Sequence, residues 1–101
     1  MKYFGYLILY SLIIFNNHSY AETMLDLGKK IFYGKGNCSS CHLLSDNNSN
    51  GEINLKEIKP SKEKILYAVI NGVGGGMPSY EGILSFTEIE LVSDYVYDTT
   101  R

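Results

Sequence analysis

Residues 35–43 read KGNCSSCHL and hold the two cysteines of the chain, Cys38 and Cys41, with His42 directly after the second. Two thiols separated by two residues can close a disulfide, supply half of a zinc site, cycle as a redox pair, or anchor a haem. Which of these applies depends on what the rest of the chain supplies and on the elements that hold the motif.

The 101 residues are 45% hydrophobic and 20% charged, an ordinary composition for one small globular domain without internal repeats. A net charge of −2 lacks the basic excess of nucleic-acid binders, so no nucleic-acid partner is expected. Residues 1–21, MKYFGYLILYSLIIFNNHSYA, begin with the single cation Lys2, continue as an apolar run from Tyr3 to Phe15, and end in Ser19-Tyr20-Ala21. This is the layout of a secretory signal cleaved after Ala21. The apolar run is shorter than the roughly 20 residues a membrane-spanning helix needs, so no stable membrane insertion is expected after cleavage. The expectation is a periplasmic domain of residues 22–101. Cleavage shifts the net charge to −3, because Lys2 is the only charged residue lost, and it leaves His42 as the only histidine.

Three helical stretches are read along that domain. Thr23 is placed to cap a helix over 24–33, with Met24, Leu27, Ile31 and Phe32 as its apolar stripe. Pro60 and Ser61 precede KEKILYAVI, where Ile65, Leu66, Val69 and Ile70 share a face before Asn71-Gly72 stops the helix. Thr87 and Glu90 are read as a T-x-x-E capping box for a helix with Ile89, Val92, Tyr95 and Val96 as its apolar positions. No strand alternation is evident, and the linkers SDNNSNGEIN and NGVGGGMPSYEG are rich in turn formers.

A domain this small, helical and rich in loops buries little apolar surface and needs a disulfide, a metal or a cofactor as part of its core. Zinc requires four ligands, and the domain offers Cys38, Cys41 and a histidine too close to Cys41 for the usual spacing. A thioredoxin-like pair follows a strand, and none is read here. A disulfide over two intervening residues closes too short a loop to stabilise much. C-x-x-C-H is instead the attachment signature of c-type haem, in which two thiols add to vinyl groups and the next residue brings imidazole to the iron. Met77, in GVGGGMPSY, lies off any apolar helical face, where glycines let the backbone approach a flat ring and Pro78 fixes the turn. It is the candidate second axial ligand. Met24 is the rival, but its place on the first helical stripe assigns it to the core.

The CSSCH motif, the downstream GMPSY loop and the FTEIELVSDYV helix, in that order, resemble the small bacterial class I c-type cytochromes over essentially all of residues 22–101. The resemblance implies an all-α, cytochrome c-like fold of three to four helices wrapped around one covalently attached haem c. Cys38 and Cys41 would be its attachment points, and His42 and Met77 the axial iron ligands. Gly28 and Phe32 would meet Tyr95 where the first and last helices cross. The ring would be buried among Phe32, Leu43, Leu55, Ile65, Val69 and Val96, and its open edge lined by neutral residues, with Lys35 and Glu81 opposing each other nearby. The implied function is that of a monomeric electron carrier, not an enzyme, passing single electrons from a redox-protein donor to an acceptor. Two further readings are a haem subunit of an exported oxidoreductase complex, and an enzyme or gas sensor with Met77 off the iron. One departure from the family stands out: Ile53, in Gly51-Glu52-Ile53-Asn54-Leu55, replaces a proline whose carbonyl accepts from the proximal histidine. The carbonyl survives that change, so Ile53 is expected to accept from His42 Nδ1–H.

Overall fold

Side-chain caps and apolar spacing account for most of the helix ends in the computed structural model, which describes residues 20–45 and 52–101. Residues 1–19, part of the expected signal segment 1–21, and residues 46–51, which include Gly51, lie outside the described residues. The order is α1 (Tyr20–Tyr33), a 3-10 turn (Cys38–Ser40), β1 (His42–Leu43), β2 (Ile53–Asn54), α2 (Leu55–Ile58), α3 (Lys62–Asn71) and α4 (Phe86–Thr99). Among the described residues no helix is long and apolar enough to cross a membrane.

α3 starts and stops where the sequence indicates. The Ser61 hydroxyl accepts from the Lys64 amide at 3.3 Å, and Gly72, at φ 75°, ends the helix. Two other starts differ from expectation. α1 begins at Tyr20, so Thr23 sits inside its first turn instead of capping it; Ala21 and Glu22 are good helix formers that let the helix extend backwards. α4 begins at Phe86, and its capping box is Ser85 with Glu88, not Thr87 with Glu90. Both tetrads fit the motif, but the Ser85 frame puts Leu84 just before the cap and Ile89 in the first turn, the two positions of a hydrophobic staple. Both are buried, 4% and 3% exposed, and that burial selects the frame. The two-residue strands form a parallel pair, His42 opposite Ile53 and Leu43 opposite Asn54, too short for alternation to reveal.

α1 packs chiefly against α4, and α3 packs on the other side of α4. Ile31, Phe32, Ile65, Val69, Leu84, Ile89, Val92 and Val96 form one buried cluster. At the crossing of α1 and α4, a Cβ on Gly28 would lie 2.3 Å from the Leu91 carbonyl oxygen and 2.8 Å from Tyr95 Cβ. The Phe32 and Tyr95 rings lie 5.9 Å apart, tilted by 59°. The meeting of Gly28, Phe32 and Tyr95 is therefore present. Met24 and Leu27, however, are 39% and 43% exposed. α1 is buried through Gly28, Ile31 and Phe32, so its apolar stripe reaches past the partner helix into solvent, and Met24 is not a core residue.

Polar contacts lock the outside of this arrangement. Lys35 Nζ pairs with both Glu88 oxygens at 2.9 and 3.0 Å, and Lys62 pairs with Asp94 at 2.6 Å. Arg101 stacks on the Tyr97 ring at 4.0 Å and donates to the Lys59 and Pro60 carbonyls, tying the end of α4 to the corner before α3.

Gly28→Ala tests how close the crossing is. Alanine is the better helix former by about 1 kcal/mol, but its methyl group must push α1 off the Leu91 carbonyl, a strain costing typically 1–3 kcal/mol or more. The haem-loaded variant should melt several degrees lower. A melting temperature equal to or above that of the parent would show that the helices do not approach this closely.

Candidate functional site

The CSSCH segment leaves α1 through a turn that its own sequence builds. Asn37 adopts the left-handed conformation at φ 51°, which asparagine tolerates, and the Ser40 hydroxyl donates to the Asn37 carbonyl at 2.8 Å. The Cys41 amide then closes on the Cys38 carbonyl at 3.2 Å. This 3-10 turn, starting at Cys38 as the motif anticipates, directs both thiols to one cavity. The cysteines are unbridged, Cys38 half-buried and Cys41 exposed. Burial pushes the Cys38 thiol above its ordinary pKa.

His42 opens β1 and is held by main-chain pairing, with the Ile53 amide donating to the Cys41 carbonyl at 2.8 Å. Burial lowers its pKa below the usual histidine value, while the Ile53 backbone acts in the opposite direction. The ring is therefore neutral at pH 7, the form that binds metal. Nδ1 is buried and has no hydrogen-bond partner. The Ile53 backbone nonetheless acts on the ring as the expected hydrogen-bond acceptor would, although the contact falls short of full hydrogen-bond geometry.

The wall carrying Met77 comes from the loop after α3. A Cβ on Gly72 would fall 2.8 Å from both the Met77 carbonyl and the Ser79 amide, so the returning chain requires glycine there. The Val73 amide donates to the Met77 carbonyl at 2.9 Å, and Gly75 and Gly76 take positive φ values of 102° and 149°. Met77 is half-buried and packs on the core cluster while also lining the cavity. Tyr80 follows, its hydroxyl donating to the Gly36 carbonyl at 2.6 Å. Burial raises the pKa of this phenol, which keeps it a donor.

Cys38, Cys41, His42 and Met77 thus line a single cavity of about 750 Å³. That size is in the upper part of the range for ligand sites. Met24 is not on it. One feature favours a flat metal-bearing ring: the three glycines Gly74 to Gly76 on the cavity wall, where an added Cβ would meet nothing within 4 Å. The residues present fit a haem.

The walls differ from the expected set. None of Phe32, Leu43, Leu55, Ile65, Val69 and Val96 lines the cavity. Phe32, Ile65, Val69 and Val96 pack against one another between the helices, because the α1–α4 crossing and α3 bring them together there. Ile53 and Val73 supply apolar wall instead, and Glu52 adds a carboxylate that sequence reasoning missed. The pairing of residue 53 with His42 is what brings Glu52 there. Lys35 pairs with Glu88.

A thiol pair, an imidazole and a thioether around one cavity, inside helices that cross at a glycine, are the equipment of a c-type haem protein. The comparisons agree. The family described as Cytochrome C oxidase, cbb3-type, subunit III matches residues 23–96. Cytochrome c6 of Cladophora glomerata is 41% identical over 86 residues, spanning 77% of this chain and 90% of that protein. Cytochrome c6 of Chlorolobion braunii is 36% identical over 85 residues, spanning 76% and 92%. Among solved structures, the c-type cytochrome SorU from Sinorhizobium meliloti superimposes with a TM-score of 0.66 at 40% identity, covering 78% of this chain and 93% of that one. The chain belongs to the cytochrome c family, as a small class I member with one covalently bound haem c. It is an electron-transfer protein and not an enzyme, and the reading as a subunit of an oxidoreductase complex is not favoured.

Proposed function

We propose that Cys38 and Cys41 would hold the haem as thioethers, and that His42 and Met77 would be the ligands of its iron. The observation that carries this reading is that all four side chains line one cavity. Haem c bound there supplies a one-electron iron couple. Burial keeps the His42 imidazole neutral, so its lone pair is available to iron without the loss of a proton. The Met77 thioether, a soft donor, favours the ferrous state and raises the potential above that of a bis-histidine site. With both axial positions filled, oxygen and peroxide have no coordination site. This suits a carrier better than an oxidase or a gas sensor.

Export is part of the same proposal. Residues 1–21 are a cleaved signal, residues 22–101 the monohaem domain, and the periplasm its place of action as a monomer between a donor and an acceptor. Attachment of haem to exported thiols is consistent with unbridged Cys38 and Cys41. Docking at the cavity rim would involve little steering by charge. Lys35 is paired with Glu88, and the cavity is lined by Asn37, the glycines, Pro78 and Tyr80 among its neutral residues. Within the lysine group before and along α3, Lys62 is paired with Asp94 and Lys56 donates to the Thr99 carbonyl. These contacts are structural, which weakens the case for that group as a docking surface.

Three outcomes are expected. Replacing both Cys38 and Cys41 by alanine should remove covalent haem and most of the folded protein, because the haem completes a core too small to stand alone; normal accumulation of a folded, haem-free double variant would refute this. Met77→Ala should keep the haem attached, let carbon monoxide bind the ferrous protein readily, and lower the potential by on the order of 0.1 V. An unaltered visible spectrum and potential would remove Met77 from the iron. Electron-transfer rates with the physiological partner should change less than about tenfold between low ionic strength and ~0.5 M salt, where screening reaches only a few ångströms. A steep fall abolished by neutralising Lys56, Lys59, Lys62 and Lys64 would make the basic group the docking surface.

A further inference from the structure

The loop that carries Met77 runs along the cavity wall through Gly74, Gly75 and Gly76. Glycines there leave the backbone many alternative conformations. The Val73–Met77 hydrogen bond closes the loop upon itself, and the Ser79 hydroxyl donates back to the Ile70 carbonyl, on the helix the loop has just left. Neither contact holds the loop against the opposite wall.

Tyr80 reaches across. Its main chain is fixed at both ends, the amide donating to the Val69 carbonyl at 2.9 Å and the carbonyl accepting from the Ile83 and Leu84 amides. The ring lines the cavity, and the hydroxyl donates to the Gly36 carbonyl at 2.6 Å, a link between residues 44 positions apart. The acceptor is equally well placed. Gly36 is buried, its amide donates to the Ile31 carbonyl at 2.8 Å, and a Cβ on it would lie 3.2 Å from Cys38 Sγ. The phenol therefore joins the methionine loop to the main chain beside the first cysteine.

We propose that Tyr80 is a positioning residue for the sixth ligand: its hydroxyl, bound to the Gly36 carbonyl, latches the Met77 loop to the Cys38 loop and slows the departure of Met77 from the iron. The proposal rests on Met77 being that ligand. Met77 can leave only if the loop moves, and movement must first break the Tyr80–Gly36 bond. One such hydrogen bond corresponds to roughly a three- to tenfold change in the opening equilibrium.

Tyr80→Phe keeps the ring and removes only the hydroxyl. The probe is cyanide added to the ferric, haem-loaded protein, with binding followed by visible absorption up to saturating concentration and melting measured on the same samples. The limiting rate, set by departure of Met77, should rise roughly three- to tenfold in Tyr80→Phe. In Met77→Ala, binding should be faster than in either protein and should not saturate. If Met77→Ala is faster but Tyr80→Phe matches the parent, the latch is overturned and Met77 remains a ligand, even if the Tyr80 variant melts lower. If the parent binds cyanide as fast as Met77→Ala, the ligand assignment falls and the latch falls with it.

Discussion

The approach of α1 to α4 at Gly28 is the contact on which the other distances depend. A main-chain carbonyl, that of Leu91, occupies the place where a side chain on residue 28 would begin. This closeness lets Phe32 reach Tyr95 and seals Ile31, Phe32, Val92 and Val96 into the buried cluster. It also fixes the direction in which the chain leaves α1, and so where the cysteine turn starts. The Lys35–Glu88 pair strengthens the same geometry from outside, because Glu88 also receives the Ser85 amide in the capping box of α4. The exit of the first helix and the entry of the last are thereby tied together.

From that frame the two walls of the cavity extend as separate loops. One carries both thiols and, through a two-residue parallel pairing, the imidazole. The other leaves α3 at Gly72 and returns to the core with Met77. None of α1 to α4 lines the space between the two walls. The polypeptide thus divides its apolar residues between a core packed side chain against side chain and a cavity whose filling is a cofactor. For a domain of this size that division is workable only because the filling is covalent and adds core that the chain itself lacks.

Burial also tunes the chemistry of the walls. It raises the Cys38 thiol and lowers the His42 imidazole, favouring the neutral form of each. Neutral imidazole is the form that binds metal. An electron carrier gains from such a site, since a cavity wall holding few charges changes little between the two iron oxidation states. Glu52 is the exception on the lining, an acidic group beside the paired strands.

The sequence by itself determined what depends on neighbours within a few residues. C-x-x-C-H places two thiols and an imidazole on one turn; Ser61 and Gly72 bound α3; glycines and a proline around Met77 mark a loop and not a helical face. The family resemblance added the meeting of Gly28 and Phe32 with Tyr95. The tertiary structure decided what depends on residues far apart. It chose Ser85 over Thr87 as the cap, because only that frame buries Leu84 and Ile89. It left Met24 and Leu27 in solvent, since the partner helix covers only the part of α1 around Gly28, Ile31 and Phe32. It paired Lys35 with Glu88, sent Phe32, Ile65, Val69 and Val96 to the core and not the cavity, and joined Tyr80 to Gly36. Apolar spacing shows that a residue will be buried but not against what, and charge shows that a partner is wanted but not which one. Those choices are made when the helices cross and bring distant residues within reach.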